Sequence, residues 1–283
     1  MKLPYALAKR FVAGESLQQA VPKVADLNDY GIKVTLDLLG EDVTERSTAD
    51  ETLQHYIELL EGIHEQGIDA SISIKLTMLG LSIDRDYCRD NLFKLLDSAR
   101  RFDQFIRIDM EGSTHTQVTI DLFKEAFQEY GKHVGIVIQA YLHRTKADID
   151  ALAGMGTDVR LCKGAYGEPE RIALQKMPDI REAFKEYAAV LLDKTLYPRI
   201  ATHDDELLEW TKNHITENNI GKSRFEFQML YGMRLETCKK LAQEGYNVRV
   251  YVPYGTMWFP YFSRRLKERK ENIWFVLSTM FQK

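Results

Sequence analysis

Gly31-Ile-Lys-Val-Thr-Leu-Asp37 alternates apolar and polar residues, the two-residue period of a half-buried strand, and it ends on a carboxylate. Ser47-Thr-Ala-Asp-Glu51 then caps a helix whose Leu53, Tyr56, Ile57, Leu60 and Ile63 fall on one stripe. This unit recurs. Strands are expected at Ser71 to Leu76, Phe105 to Asp109, Ile136 to Tyr141, Asp158 to Cys162, Arg199 to His203, Phe225 to Met229 and Asn247 to Val252, the last stopped by Pro253 and Gly255. Helical patterns follow at 84–101, 114–130, shortly after Thr145, 179–194, from Asp204, from Leu235 and beyond Gly255. Eight such units over roughly 250 residues are the size of a TIM (β/α)8 barrel.

No Pro/Ser-rich linker or composition break divides the chain, so 1–283 is expected as a single domain. Residues 1–30 are an N-terminal helical segment, a helix over 4–29 with Ser16 as candidate cap and Gly31 as terminator. The barrel takes 31–268, and 269–283 is a C-terminal helix suited to core packing, with a membrane-surface contact left open. Net charge is −4 with the signs interspersed, which gives no nucleic-acid footprint. Three widely spaced cysteines, Cys88, Cys162 and Cys238, favour free thiols in a reducing cytoplasm. No signal peptide or membrane span is expected, so the expectation is a cytoplasmic protein.

Alternation also sorts the two faces of each strand. Ile72 and Ile74, Ile106 and Ile108, Ile136 and Ile138, and Val248, Val250 and Val252 would meet the helices. The opposite face is polar near each C-terminal end, offering Asp37, Lys75, Asp109, Gln139, Arg160, His203, Gln228 and Tyr251. Barrel interiors are normally filled with branched aliphatics, and active sites lie at that end. One polar group is more often a satisfied interior residue than a catalyst, but eight in register point to a site. Beyond the last strand, Arg264 and Arg265 stand behind Tyr251, Tyr254 and Tyr261. They form a candidate clamp for a small acid with an apolar body. A solvated basic helix continuing to Lys270 is the competing reading.

Several chemistries lack their signatures. There is no G-x-G-x-x-G after a strand, no G-x-x-x-x-G-K-[ST] and no G-x-S-x-G elbow. The seven histidines are scattered, only His203 falls at a strand end, and no metal site is expected. Lys75 and Lys163 are candidates for Schiff-base chemistry, as in lysine-dependent aldolases. A barrel that only binds an amino acid is a third possibility.

Arg160-Leu-Cys-Lys-Gly-Ala-Tyr166 closely resembles the R-[LV]-V-K-G-A-Y segment of proline dehydrogenases, flavoenzymes built on a distorted TIM barrel. The resemblance runs in order through Leu38-Leu-Gly-Glu41, Ser73-Ile-Lys75-Leu-Thr, Arg107-Ile-Asp109-Met-Glu111, Val137-Ile-Gln139-Ala-Tyr141 and Ala201-Thr-His203. It continues in Phe225-Glu-Phe-Gln228-Met-Leu230-Tyr-Gly-Met, Tyr251-Val-Pro-Tyr-Gly and Tyr261-x-x-Arg264-Arg265. With neither a second dehydrogenase domain nor a DNA-binding domain in the chain, it is similar to the small monofunctional bacterial form. Cys162 departs from the usual Val, Gly167 from the Trp of some relatives, and the N-terminus is shorter than usual. The changes at Cys162 and Gly167 are expected to alter packing around the cofactor's ribityl chain, and the shorter N-terminus bears on capping of the barrel's underside.

This resemblance implies flavin-dependent oxidation of L-proline to Δ1-pyrroline-5-carboxylate, by hydride transfer to FAD and reoxidation by a quinone. It implies that Arg264, Arg265 and Lys75 bind the carboxylate, with Glu41 pairing Arg264, while Tyr251, Tyr261, Leu230 and Ala165 wall the ring. Arg160, Lys75 and Asp109 are the expected catalytic residues. Asp109, Met110, Gln139, Arg160, Cys162, Lys163, Gly164, Ala165, Tyr166, Thr202, His203 and Gln228 are expected around FAD. A quinone partner also implies a transient contact with the inner face of the membrane.

Overall fold

The structure, a computed structural model, describes residues 8–195 and 197–268, with side chains described as far as 263. The C-terminal helix expected over 269–283 lies outside the described residues, as do the side chains of Arg264 and Arg265. Helix α1 (Leu17–Asn28) leads into β1 (Lys33–Leu38), α2 (Arg46–Gln66), β2 (Ala70–Ile74) and α3 (Arg85–Arg101). Next come β3 (Ile106–Ile108), α4 (Ser113–Tyr130), β4 (Val134–Gln139), α5 (Thr145–Ala153), β5 (Val159–Cys162) and α6 (Met177–Lys194). The chain goes on through β6 (Arg199–Ala201), α7 (Asp205–Glu217), β7 (Glu226–Leu230), α8 (Leu235–Gln243), β8 (Asn247–Tyr254) and α9 (Trp258–Glu268). All neighbouring strands pair in parallel and β8 returns to β1, so the eight close into a barrel. This is the expected (β/α)8 architecture.

The apolar alternate positions do face the helices. Val34, Leu36, Ile72, Ile74, Ile106, Ile108, Val248 and Val250 are buried in one continuous core with Leu59, Leu60, Leu95, Phe123 and Leu191. The inner positions, by contrast, carry charge from bottom to top. In the lower tier Arg199 forks between Asp158 (2.6 and 2.8 Å) and Glu226 (2.9 Å), and Arg249 donates to Glu226 (2.8 Å) and the Val34 carbonyl (2.7 Å). Arg107 donates to the carbonyls of Ile136 (2.8 Å) and Asp158 (2.9 Å) and pairs with the Asp158 carboxylate. Gly135 makes room for it, because a Cβ there would sit 2.5 Å from the Arg107 guanidinium.

Several boundaries differ from the sequence expectation: β2 and β3 stop short of Lys75 and Asp109, β4 is shifted two residues earlier and β7 one later, and three further differences bear on the site. The first helix begins at Leu17, not near residue 4; Ser16 caps it in an extended conformation without a side-chain bond. Residues 8–14 instead cross the C-terminal end of β8, where Ala13 donates to Pro253 (2.8 Å) and Gly255 to Gly14 (2.9 Å). There Phe11 and Val12 pack with Leu39, Met233, Trp258 and Phe262. β8 runs on through Pro253, which lies past the last residue pairing with β7, where a missing N–H is tolerated. β6 ends at Ala201, leaving His203 in the loop before α7.

Candidate active site

At the C-terminal ends of the strands the barrel opens into a cavity of about 980 Å³. All eight ring residues named from the alternation border it: Asp37, Lys75, Asp109, Gln139, Arg160, His203, Gln228 and Tyr251. So do Glu41, Met110, Cys162, Lys163, Gly164, Ala165, Tyr166, Thr202, Leu230 and Tyr261. Arg264 and Arg265 lie on α9, whose first turn contributes Pro260 and Tyr261 to the wall.

Its floor is built from two ion pairs joined by a phenol. Lys75, extended at the end of β2 before the 3-10 turn Leu76–Leu79, pairs with Asp37 at 2.9 Å. Arg160 on β5 donates from Nη1 to Asp109 at 2.9 Å, and the Tyr251 hydroxyl donates to the other Asp109 oxygen at 2.7 Å. Ser73 supplies Asp109 with a third donor at 2.7 Å. Burial pulls the Lys75 pKa down, but the charges of Asp37 and Asp109 more than reverse this, so the ammonium is held above its ordinary value. Asp37 and the Tyr251 hydroxyl are both pushed up, by burial first. Arg160 is 5% exposed, and its Nε and Nη2 have no partner among the described residues. Charged donors in that state cost free energy unless something accepts from them.

The loop after β5 forms one side. Gln139 donates to the Glu111 carbonyl (3.0 Å) and accepts from the Ala165 N–H (3.3 Å). Gly164 has φ +123, and a Cβ there would fall 2.3 Å from the Tyr141 ring, so glycine is required twice over. Lys163 and Arg181 both reach one oxygen of Asp204, each at 2.8 Å, and their contact holds its carboxyl at about 2 against the opposing effect of burial. Across the cavity the Leu230 N–H donates to His203 Nε2 at 2.9 Å, which assigns the proton of the neutral ring to Nδ1.

Sequence reasoning missed three contributors. Asp204 had been given only the start of a helix, and its cap is real, since it accepts from the Glu206 N–H; the same side chain also anchors Lys163. Arg181 sits mid-pattern in an amphipathic helix, and nothing in its spacing marks it out. Glu111, buried past the C-terminal end of β3, takes both the N–H and the hydroxyl of Thr77 and fixes the turn that follows Lys75. Asp37 belonged to the ring but had no role.

A family model described as proline dehydrogenase matches residues 20–277. Proline dehydrogenase 2 of Bacillus subtilis (strain 168) is 41% identical over 98% of this chain and 91% of its own length. The proline dehydrogenase of Deinococcus radiodurans is 39% identical, over 98% of this chain and 90% of that protein. Among solved structures, proline utilization A of Bdellovibrio bacteriovorus inactivated by N-propargylglycine superposes with a TM-score of 0.87 at 26% identity. That match takes in 92% of this chain, which spans 32% of the larger protein. With a family model over most of its length and relatives near 40% identity, the chain belongs to the proline dehydrogenase family.

Proposed function

We propose that this chain oxidises L-proline to Δ1-pyrroline-5-carboxylate with FAD as its cofactor and a quinone as the final acceptor. The observation that carries the reading is Arg160, which borders the cavity and holds two buried nitrogens without a hydrogen-bond partner among the described residues. The electron-rich edge of a flavin ring fits that need, and Gly164, whose turn packs directly on the Tyr141 ring, shapes the wall beside it. When bound, FAD supplies the hydride acceptor for the carbon next to proline's nitrogen.

The chain's own residues then divide the remaining tasks. Met110, Gln139, Cys162, Lys163, Gly164, Ala165, Tyr166, Thr202, His203 and Gln228 would hold the cofactor. Arg160 would stabilise negative charge that develops beside it, and Asp109 would keep Arg160 and Tyr251 in place. Lys75, with Arg264 and Arg265, would take the carboxylate, while Glu41 orients Arg264. Tyr251, Tyr261, Leu230 and Ala165 would wall the ring and exclude water.

The aldolase reading is disfavoured by charge. A Schiff-base lysine needs its amine neutral, whereas Lys75 is paired with Asp37 and Lys163 with Asp204. No helix among the described residues is long and apolar enough to cross a membrane, so the quinone would be met at a surface. The test is direct. Purified protein loaded with FAD, given L-proline and a soluble quinone without oxygen, should yield the imine by mass spectrometry. Protein that binds FAD yet yields none refutes the activity. A protein that takes up no flavin but forms a borohydride-stable adduct with a carbonyl compound restores the aldolase reading.

A further inference from the structure

Of the two lysines that border the cavity among the described residues, Lys75 has the more buried side chain, 9% exposed against 27% for Lys163. Lys75 is 7% exposed and borders the same space as Tyr251 and Leu230. The proposed product is a cyclic imine, and addition of water across its C=N bond opens it to an amino aldehyde. A neutral lysine meeting that aldehyde would add its nitrogen lone pair to the carbonyl carbon. The nitrogen would give up both its protons, the oxygen would leave as water, and a C=N bond to the enzyme would result, with no change in oxidation state. A protonated lysine has no lone pair to give.

We infer that Asp37 keeps Lys75 protonated and so shields it from covalent capture by the carbonyl product of the reaction this site performs. The Asp37 side chain is 1% exposed and lies 2.9 Å from Lys75 Nζ, the one acceptor in hydrogen-bond contact with that ammonium among the described residues. The other groups that act on Lys75 are Asp109 just past β3, Glu111 beyond it and Tyr56 from α2, none of them bonded to it. Burial by itself depresses the lysine, and the two aspartates reverse that depression. Without the nearer aspartate, desolvation of a cation in a closed pocket takes over. The inference rests on the proposed oxidation only for the identity of the carbonyl compound; the ion pair belongs to the cavity whatever its substrate.

The test uses the FAD-loaded protein with succinic semialdehyde and sodium cyanoborohydride, which reduces each Schiff base to a stable adduct read by peptide mass spectrometry. Exposed Lys94 serves as the internal reference. In the wild type, Lys75 should label at least about a hundredfold more slowly than Lys94. Asp37→Asn, which keeps shape and an acceptor oxygen but removes the charge, should raise Lys75 labelling at least about tenfold. Asp37→Glu should not. Wild-type Lys75 labelling as fast as Lys94 overturns the inference even if the Asn variant fails to fold. So does an Asn variant that binds FAD and labels no faster than wild type. A protein that oxidises no proline yet shows this pattern refutes the activity and leaves Asp37's role standing; turnover with freely labelled Lys75 does the reverse.

Discussion

Arg107 on β3 and Asp109 just past its end are two residues apart, and Arg249 and Tyr251 are two apart on β8, yet each pair divides between tiers with different endings. Below, Arg107, Arg199 and Arg249 meet Asp158 and Glu226 in a ladder that also takes in backbone carbonyls and leaves one nitrogen, Arg107 Nε, without a partner among the described residues. Above, Lys75–Asp37 and Arg160–Asp109 make two pairs, bridged by Tyr251, that face a cavity, and Arg160 keeps two donors unmet. Similar side chains therefore serve different ends. Ions that satisfy one another hold a barrel, and ions left partly unsatisfied wait for a ligand.

Substitutions can break this contrast or sharpen it. Glu226→Ala strands two buried arginines and should cost about 3–5 kcal/mol of stability in denaturant unfolding, with proline affinity of the surviving fold little changed. Acid should find the same tier next. Burial raises the pKa of Asp158 and Glu226, but their arginines overcome it and the folded values lie below the ordinary ones. Their stabilisation is full above the unfolded value of about 4 and lost as pH falls through the folded value. Unfolding free energy should thus drop steeply below pH about 4, and Glu226→Gln should flatten that slope.

Upper-tier changes should act on ligands more than on folding. Gly164→Ala forces a strained backbone against Tyr141 and should weaken flavin binding by about 1–3 kcal/mol, read by fluorescence titration. Tyr251→Phe deletes the hydroxyl's bond to Asp109 and its contact with Asp37, and should cost about 0.5–1.5 kcal/mol in proline binding. A larger loss of stability than of affinity in either variant would put the upper tier in the same class as the lower.

How much of this could be read from residues alone follows from the same contrast. The upper ring was legible because a two-residue period puts Asp37, Lys75, Asp109 and Arg160 on one face, and because Arg160-Leu-Cys-Lys-Gly-Ala-Tyr166 is a specific string. The lower ladder was not. Arg107, Arg199, Glu226 and Arg249 obey the same alternation, but a charged residue early in a strand looks solvated until the partner that neutralises it is known. That partner is 27 residues away for Arg199–Glu226 and 51 for Arg107–Asp158. Asp204 was hidden differently, since a helix cap already accounted for it. Near the N-terminus, the long-range bonds to Pro253 and Gly255 that draw residues 8–14 across the end of β8 leave no local trace in the sequence.

Thermal unfolding of wild type and Arg160→Lys, each with and without FAD, tests the division between tiers most directly. Lysine keeps the charge beside Asp109 and removes the planar donors. Both proteins should unfold at nearly the same temperature without flavin, and only the wild type should gain several degrees with it. An Arg160→Lys protein that unfolds well below wild type without flavin, or a wild type that FAD leaves unchanged, would contradict the account.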